Sequence, residues 1–456
     1  MTHEAVDLGT AASRPANPGD DDLRTLPSVS WYCLGFVVVL VVACRVTGSL
    51  LTEAGVQLHL GDGWPLYALW SPHDSSVGLL LPIGLAGLGF WYGLRLAAVL
   101  PWRWLLMLAY LAAVAWVVGL ALSEGVTGLT RPLATPYDYL HDVPRVTDLG
   151  GLLTNFTDHI VDPPKWTTHV SGHPPAALGF FVLLHRIGLG GELSSALACV
   201  VVGAVAVPAV LSTVRILGGE ALARRAAPFL VFAPTALWLA VSADAVFAGV
   251  SAAGICALAH AARRTDRIGD VLAGLGGLAL GLTLYLSYGL TLLGPLAIAV
   301  VLARRRIRPL VVGGLAVTGI VVAFTAAGFA WWEGLALAVE RVHAGPAWQH
   351  RPQGYFRFAN FAALAIAVGP ATVAGLPLVL KQRRSGFWVL PTGVLSAILA
   401  AGVSGLTTGE VERIYLPFAV WLLPVAGLLP SRTARPWLAA QLVVALILES
   451  LLRLGW

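Results

Sequence analysis

Apolar runs of bilayer length recur along most of this chain, and they constrain its fold more than any other feature. A helix needs about 20 apolar residues to cross the hydrocarbon core. Such runs lie near 31–51, 78–99, 104–122, 174–190, 194–214, 226–262, 270–303, 309–332, 358–380, 386–404, 414–430 and 436–454. Only 12% of the 456 residues are charged, against about 25% in soluble domains. The expected fold class is an all-α polytopic membrane protein. Residues 1–29 are polar, with no apolar core and no cleavable leader pattern, and read as a disordered cytoplasmic tail ahead of a single transmembrane domain, 30–456.

Charge orients the segments. Arg263-Arg264, Arg304-Arg305-Arg306, Lys381 to Arg384, and Arg432 with Arg435 punctuate the apolar runs and read as cytoplasmic. The segments 52–77, 123–173, 333–357 and 405–413 then fall on the outer face. The runs 226–262 and 270–303 are long enough for two helices each. Taking both as hairpins gives fourteen passes, which puts the C-terminal basic clusters on the wrong side. One segment between 174 and 262 is therefore irregular, re-entrant or non-spanning. The expectation is about thirteen passes, with the N-terminus inside and the C-terminus outside. A net charge of +5, spread over these short clusters, gives no basic surface for nucleic acid. Cys33, Cys44, Cys199 and Cys256 lie in or beside apolar runs without metal-type spacing, which excludes a disulfide framework or a zinc site.

The candidate chemistry sits in the outer segments. The loop 123–173 holds Glu124, Asp138, Asp142, Asp148, Asp158 and Asp162, with His141, His159, His169 and His173. Within it, PYDYLHDVPRV reads as a short amphipathic interfacial helix. On such a helix Asp138 and Asp142, four apart, share a face, and two neighbouring carboxylates can divide base and ligand roles. The stretch GHPP places Pro174-Pro175 in a first helical turn, with His173 at a helix end that favours an anion such as a lipid phosphate. In TTGEVERIYLPF, Glu410, Glu412 and Arg413 precede Tyr415 and an apolar helix, so Arg413 pairs with a phosphate or a carboxylate. The loop 333–357 mixes Arg341, His343, Trp348, His350 and Arg351, which suits either a sugar phosphate or an interfacial belt. Each of these features has a bland counterpart in a solvated loop, a helix cap or a structural ion pair.

The order of these features resembles the GT-C superfamily of integral-membrane glycosyltransferases: an acidic outer loop with YDYLHDV, HPP entering the next helix, then RRAAPFLVFAPTALWLAVSADAVFAG. The likeness covers about 120–420 and is nearest to the branch of protein O-mannosyltransferases and bacterial aminoarabinose transferases. It implies a bundle with an extracytoplasmic catalytic loop, in the plasma membrane of a bacterium. The activity it implies is transfer of a sugar from a polyprenyl-phosphate donor to a lipid, glycan or protein acceptor, with inversion. Carried onto this sequence, it gives Asp138 as the first candidate base, with Glu124 and Asp142 behind it. His173, His169, Glu412, Arg413, Tyr415, Arg341 and Arg351 are the candidate substrate-binding residues. No cofactor is required by the pattern, though Asp138 or Asp142 would suit Mg²⁺ or Mn²⁺. The paired Asp-Glu usual after the first helix of that family is absent, and two helices stand ahead of the acidic loop. The competing readings are a transporter or flippase of lipid-linked sugars, and a ligase using a polyprenyl-diphosphate glycan. A flippase calls for charges along an intramembrane path, whereas the apolar runs hold chiefly Arg45 and Asp244.

Overall fold

The structure, a computed structural model, describes residues 27–72, 77–240 and 242–454. The tail expected over 1–29 lies almost wholly outside them. Among the described residues, nine helices are long and apolar enough to cross a membrane: Ser28–Glu53, Leu80–Val99, Trp102–Glu124, Glu192–Gly218, Ala243–Ala261, Arg267–Leu286, Arg308–Ala326, Gly386–Ser404 and Ser431–Leu451. The bent pair Gln353–Val368 and Pro370–Gln382 makes up to ten, and Pro175–Arg186, Tyr288–Leu302 and Leu416–Leu428 are shorter apolar helices. The fold is thus all-α and polytopic, with long spans below the expected thirteen. The remainder of the expected passes fall on short or broken helices.

The bent pair turns by 101° at Gly369, whose φ of +79° suits glycine. The break frees backbone groups at membrane depth, where water cannot satisfy them. Gln441 takes their place. Its side chain donates to the Val368 carbonyl at 2.8 Å and accepts from the Ala371 N–H at 3.1 Å. A Cβ on Gly369 would meet that side chain at 2.5 Å. Elsewhere small residues let helices touch. A Cβ on Gly277 would stand 2.2 Å from the Gly313 carbonyl, so Arg267–Leu286 and Arg308–Ala326 pack backbone to backbone.

Contacts between loops define two ends of the bundle. At one, Arg224 donates to the Ala97 and Leu100 carbonyls, Arg308 pairs with Asp270, and Arg435 lies over Phe90 and Trp91. This is the basic end. At the other, Tyr67 N–H donates to Glu412, Arg351 pairs with Glu410, and Arg413 pairs with Asp244. There the strand β1 (Ala68–Trp70) also pairs antiparallel with β2 (Leu452–Leu454). The four segments grouped on one face by their charge meet at this second end.

The irregular segment between 174 and 262 is the helix Pro175–Arg186. It starts at the loop end, and its last residue, Arg186, donates to the Thr147 carbonyl of the acidic loop at 3.1 Å. Both ends of this helix therefore lie at the loop end of the bundle. The run 226–262 divides instead into a buried helix Glu220–Val231, a short turn Ala236–Leu239 and the span Ala243–Ala261.

Candidate active site

The acidic loop folds as short helical turns rather than one amphipathic helix. Tyr139–Asp142 is a single turn with Asp138 as its N-cap, followed by a 3-10 turn Val143–Arg145. Pro144 explains the break, because it removes an N–H and disfavours helix at the residue before it. Asp138 and Asp142 consequently do not present one shared face. Tyr139 and Val143 are buried, while Tyr137 is exposed.

Asp138 is 6% exposed. Its Oδ1 accepts from the Tyr139 N–H at 2.7 Å, and its Oδ2 lies 2.9 Å from His169 Nδ1. The backbone holds the two segments together, since His169 N–H donates to the Tyr137 carbonyl at 3.1 Å. His173 sits one turn further on. Its Nδ1 lies 2.7 Å from the His169 carbonyl, so that nitrogen carries the proton and Nε2 keeps its lone pair. Burial pushes the His173 pKa below its usual value, against the opposing pull of Asp244, so the ring is neutral near pH 7. Its side chain does not cap the helix that follows. Tyr139, stacked on Phe181 at 5.1 Å and 6.0 Å from the His173 ring, is the floor of the cluster.

From the opposite side comes the loop 405–413. Arg413 is 6% exposed, with its Nε 3.4 Å from Asp244 Oδ2 and its Nη2 3.8 Å from Glu410 Oε2. It also lies within electrostatic reach of Asp138 and Tyr139. Asp138, His169, His173 and Arg413, all candidates from sequence, thus gather in one cluster. Asp244 joins them as the lone acid of an apolar run. An intramembrane acid signals a partnered functional position, and that signal was present in the sequence.

The other candidates lie elsewhere. Asp142 is fully buried, and both its oxygens are engaged: Oδ1 accepts from Arg145 Nη1 and Oδ2 from the Thr167 N–H, each at 2.7 Å. Arg145 in turn donates to the Pro164 and Lys165 carbonyls and covers the Trp166 ring. Glu124 pairs with Arg131 at 2.5 Å in a neighbouring cavity that Arg413 also lines. Arg351, 7% exposed, donates to the carbonyls of Leu58, His59 and Thr408 and pairs with Glu410, joining three loops. Glu412, 1% exposed, accepts from the Tyr67 N–H at 2.7 Å, and burial pushes its pKa up to about 7. Tyr415 borders a groove of about 830 Å³ formed with Phe36, Leu40, Trp348, Phe356 and Arg357. Arg341 lies on Trp331–His343, a helix against Thr157–His159 and apart from the cluster.

The carboxylates expected to suit a divalent cation do not fit one. Asp142 is committed to Arg145 and Thr167. Among the described residues, no three His, Cys, Asp or Glu side chains converge on a metal position.

No family model matches the chain, and no curated protein matches it. Solved structures similar to it include two of ArnT from Cupriavidus metallidurans. The one bound to undecaprenyl phosphate has a TM-score of 0.41 at 16% identity, over 62% of this chain and 55% of that one. The apo form has a TM-score of 0.40 at 16% identity, over 62% and 54%. The chain spans about half the length of the solved structures it matches.

Proposed function

We propose that the protein transfers a sugar from a polyprenyl-phosphate carrier to an acceptor hydroxyl on the extracytoplasmic side of a bacterial plasma membrane, with Asp138 as general base. The observation that supports this reading is the Asp138–His169 pair, buried beside Arg413 at the end of a membrane bundle. A base needs a carboxylate held at hydrogen-bond reach, with its orientation fixed by a third group. His169 and the Tyr139 N–H supply that fixing.

In the proposed reaction, Asp138 takes the proton of the acceptor hydroxyl as its oxygen attacks the anomeric carbon. The new C–O bond forms while the bond from that carbon to the phosphate oxygen breaks. The electron pair leaves with the phosphate, and the centre inverts. Arg413 stabilises the charge that develops on the leaving phosphate, and neutral His173 accepts through Nε2 from a hydroxyl at its rim. Asp244 and Glu410 orient Arg413. The groove beside Tyr415 gives an apolar carrier tail a place next to these polar groups. No step is routed through a metal ion.

The experiment is a reconstituted assay with polyprenyl-phosphate sugars, read by release of polyprenyl phosphate. Release that depends on Asp138 supports the reading. Movement of labelled lipid-linked sugar across vesicles without any release would favour a flippase instead.

A further inference from the structure

Asp244 and Arg45 are the charges that stand out within the apolar runs. Asp244 has Arg413 as its counter-ion. Arg45 has no carboxylate at ion-pair distance among the described residues. It donates to the Asp62 carbonyl, and its guanidinium lies 5.0 Å from the centre of the Trp64 ring. It stands in the span Ser28–Glu53, about two turns, or about 12 Å, before the end that enters the outer segments. A charge at that depth calls for a partner. The nearby carboxylate of Asp62 is occupied, since it accepts from the Trp70 N–H at 2.5 Å. A guanidinium carries five N–H donors, so most of those on Arg45 are open to an outside acceptor, and the residue is exposed.

Beside Arg45 lies a pocket of about 230 Å³. Val41 and Arg45 line it from the first span, Ile447 and Leu451 from the last, and Trp64 and Trp70 from the loop 52–77. Arg45 is the one charged side chain on these walls. Trp70 is 53% exposed and Ile447 48%, so the pocket opens outward from the bundle, where lipid stands. Its parts are ordered by depth. The tryptophans suit the membrane interface. Val41 lies one turn deeper than Arg45, and Ile447 one turn deeper than Leu451. A cation near the interface above an apolar channel matches the polarity of a lipid, with its headgroup above its chain.

We propose that Arg45 anchors a bound anionic phospholipid from the leaflet at this end of the bundle. Its guanidinium holds the phosphate, to which it can donate at two points, and one acyl chain starts along Val41, Ile447 and Leu451. The net charge of the lipid supplies the counter-ion that the chain does not. The pocket has room for about eight water-sized groups, so it takes the first part of that acyl chain, and the remainder lies on the lipid-facing surface. The carrier tail of the proposed reaction has a different place, the groove on Phe36 and Leu40, which is another face of the same helix. The bound phospholipid also bears on the cluster. The segment from Asp62 to Trp70 rests on Arg45 through the Asp62 carbonyl and the Trp64 ring, and its Tyr67 N–H donates to Glu412, next to Arg413. The lipid thus braces the segment that reaches the site.

The test uses the full chain in nanodiscs that carry a trace of photoactivatable phosphatidylglycerol or, in parallel, photoactivatable phosphatidylcholine with the same acyl chains. Cross-linked peptides are mapped by mass spectrometry. The yield on 41–45 and 447–452 should be about tenfold higher from phosphatidylglycerol, the worth of one charge-assisted hydrogen bond. Arg45→Gln should abolish that preference, and Arg45→Lys should keep part of it. Ile447→Trp fills the pocket from its exposed side with Arg45 intact, and should lower the phosphatidylglycerol yield on 41–45. Gel filtration reports whether each variant remains monodisperse. Equal yields from the two lipids in the wild type overturn the proposal. So does a preference that survives in a folded Arg45→Gln, or an undiminished yield in Ile447→Trp. Added polyprenyl phosphate should leave the wild-type yield unchanged. Displacement of the phosphatidylglycerol by it would give the site to the carrier and overturn the proposal as well.

Discussion

Arg413 and Asp244 are 3.4 Å apart, although one belongs to a loop after the helix Gly386–Ser404 and the other opens the span Ala243–Ala261. Both are almost fully buried. Removing one partner from such a pair leaves an uncompensated charge, a loss on the order of 3–5 kcal/mol. Asp244→Asn and Arg413→Gln should each lower the unfolding temperature in detergent. The double variant should fall short of their sum by about 1–3 kcal/mol of coupling. Additive losses would mean that the two charges do not hold each other.

Glu412 sets a pH dependence. Its pKa is about 7 in the folded protein, against an ordinary value of 4.5, because burial penalises the ionised form. The folded state therefore holds the proton more tightly than the unfolded chain. Stability falls as pH rises from about 4.5 to about 7, and the penalty is complete above that window. Glu412→Gln keeps an acceptor for the Tyr67 N–H and cannot ionise. It should unfold at a higher temperature than wild type near pH 8, by the equivalent of on the order of 2–3 kcal/mol. The difference should vanish near pH 5. A difference that grows toward low pH would contradict the assignment.

Asp142 is expected to act on the loop rather than on substrate. Asp142→Asn weakens the charge-assisted bond to Arg145, a cost of about 1–3 kcal/mol. Limited proteolysis should cut 143–167 faster in this variant than in wild type, with unfolding shifted down. Unchanged proteolysis and unfolding together with abolished turnover would give Asp142 a chemical role.

The helix Pro175–Arg186 should leave its two ends on one side of the membrane. With the four native cysteines replaced, a membrane-impermeant maleimide should label Leu189→Cys and Lys165→Cys from the same side, and Arg305→Cys from the other. Labelling of Leu189→Cys together with Arg305→Cys would mean that the helix crosses.

These tests also mark how far the sequence could be read. The grouping of outer segments follows from charge alone, because the arginine clusters fall on one face and the acids crowd the other. The conflict in pass number is visible too, and so is its location between 174 and 262. Its resolution is not, because it depends on a single bond from Arg186 to Thr147 that no local pattern encodes. Asp138, His169, His173 and Arg413 can be chosen as polar groups of the outer segments. That Asp142 turns away from them depends on Pro144 ending the helical turn, which periodicity over PYDYLHDVPRV overlooks. Arg351 reads as a substrate ligand in a basic, aromatic loop, yet it fastens Leu58, Thr408 and Glu410. Long-range carbonyl partners of this kind leave no trace in spacing.

The most direct measurement compares wild type with Asp138→Asn in nanodiscs, by turnover and by lipid binding. The release of polyprenyl phosphate from a polyprenyl-phosphate sugar should fall by about 10²–10⁴-fold, the contribution of a positioned base. Carrier binding should stay within about twofold, because Arg413 and the groove beside Tyr415 are unchanged. Turnover that survives in Asp138→Asn would contradict the central claim and move the base elsewhere.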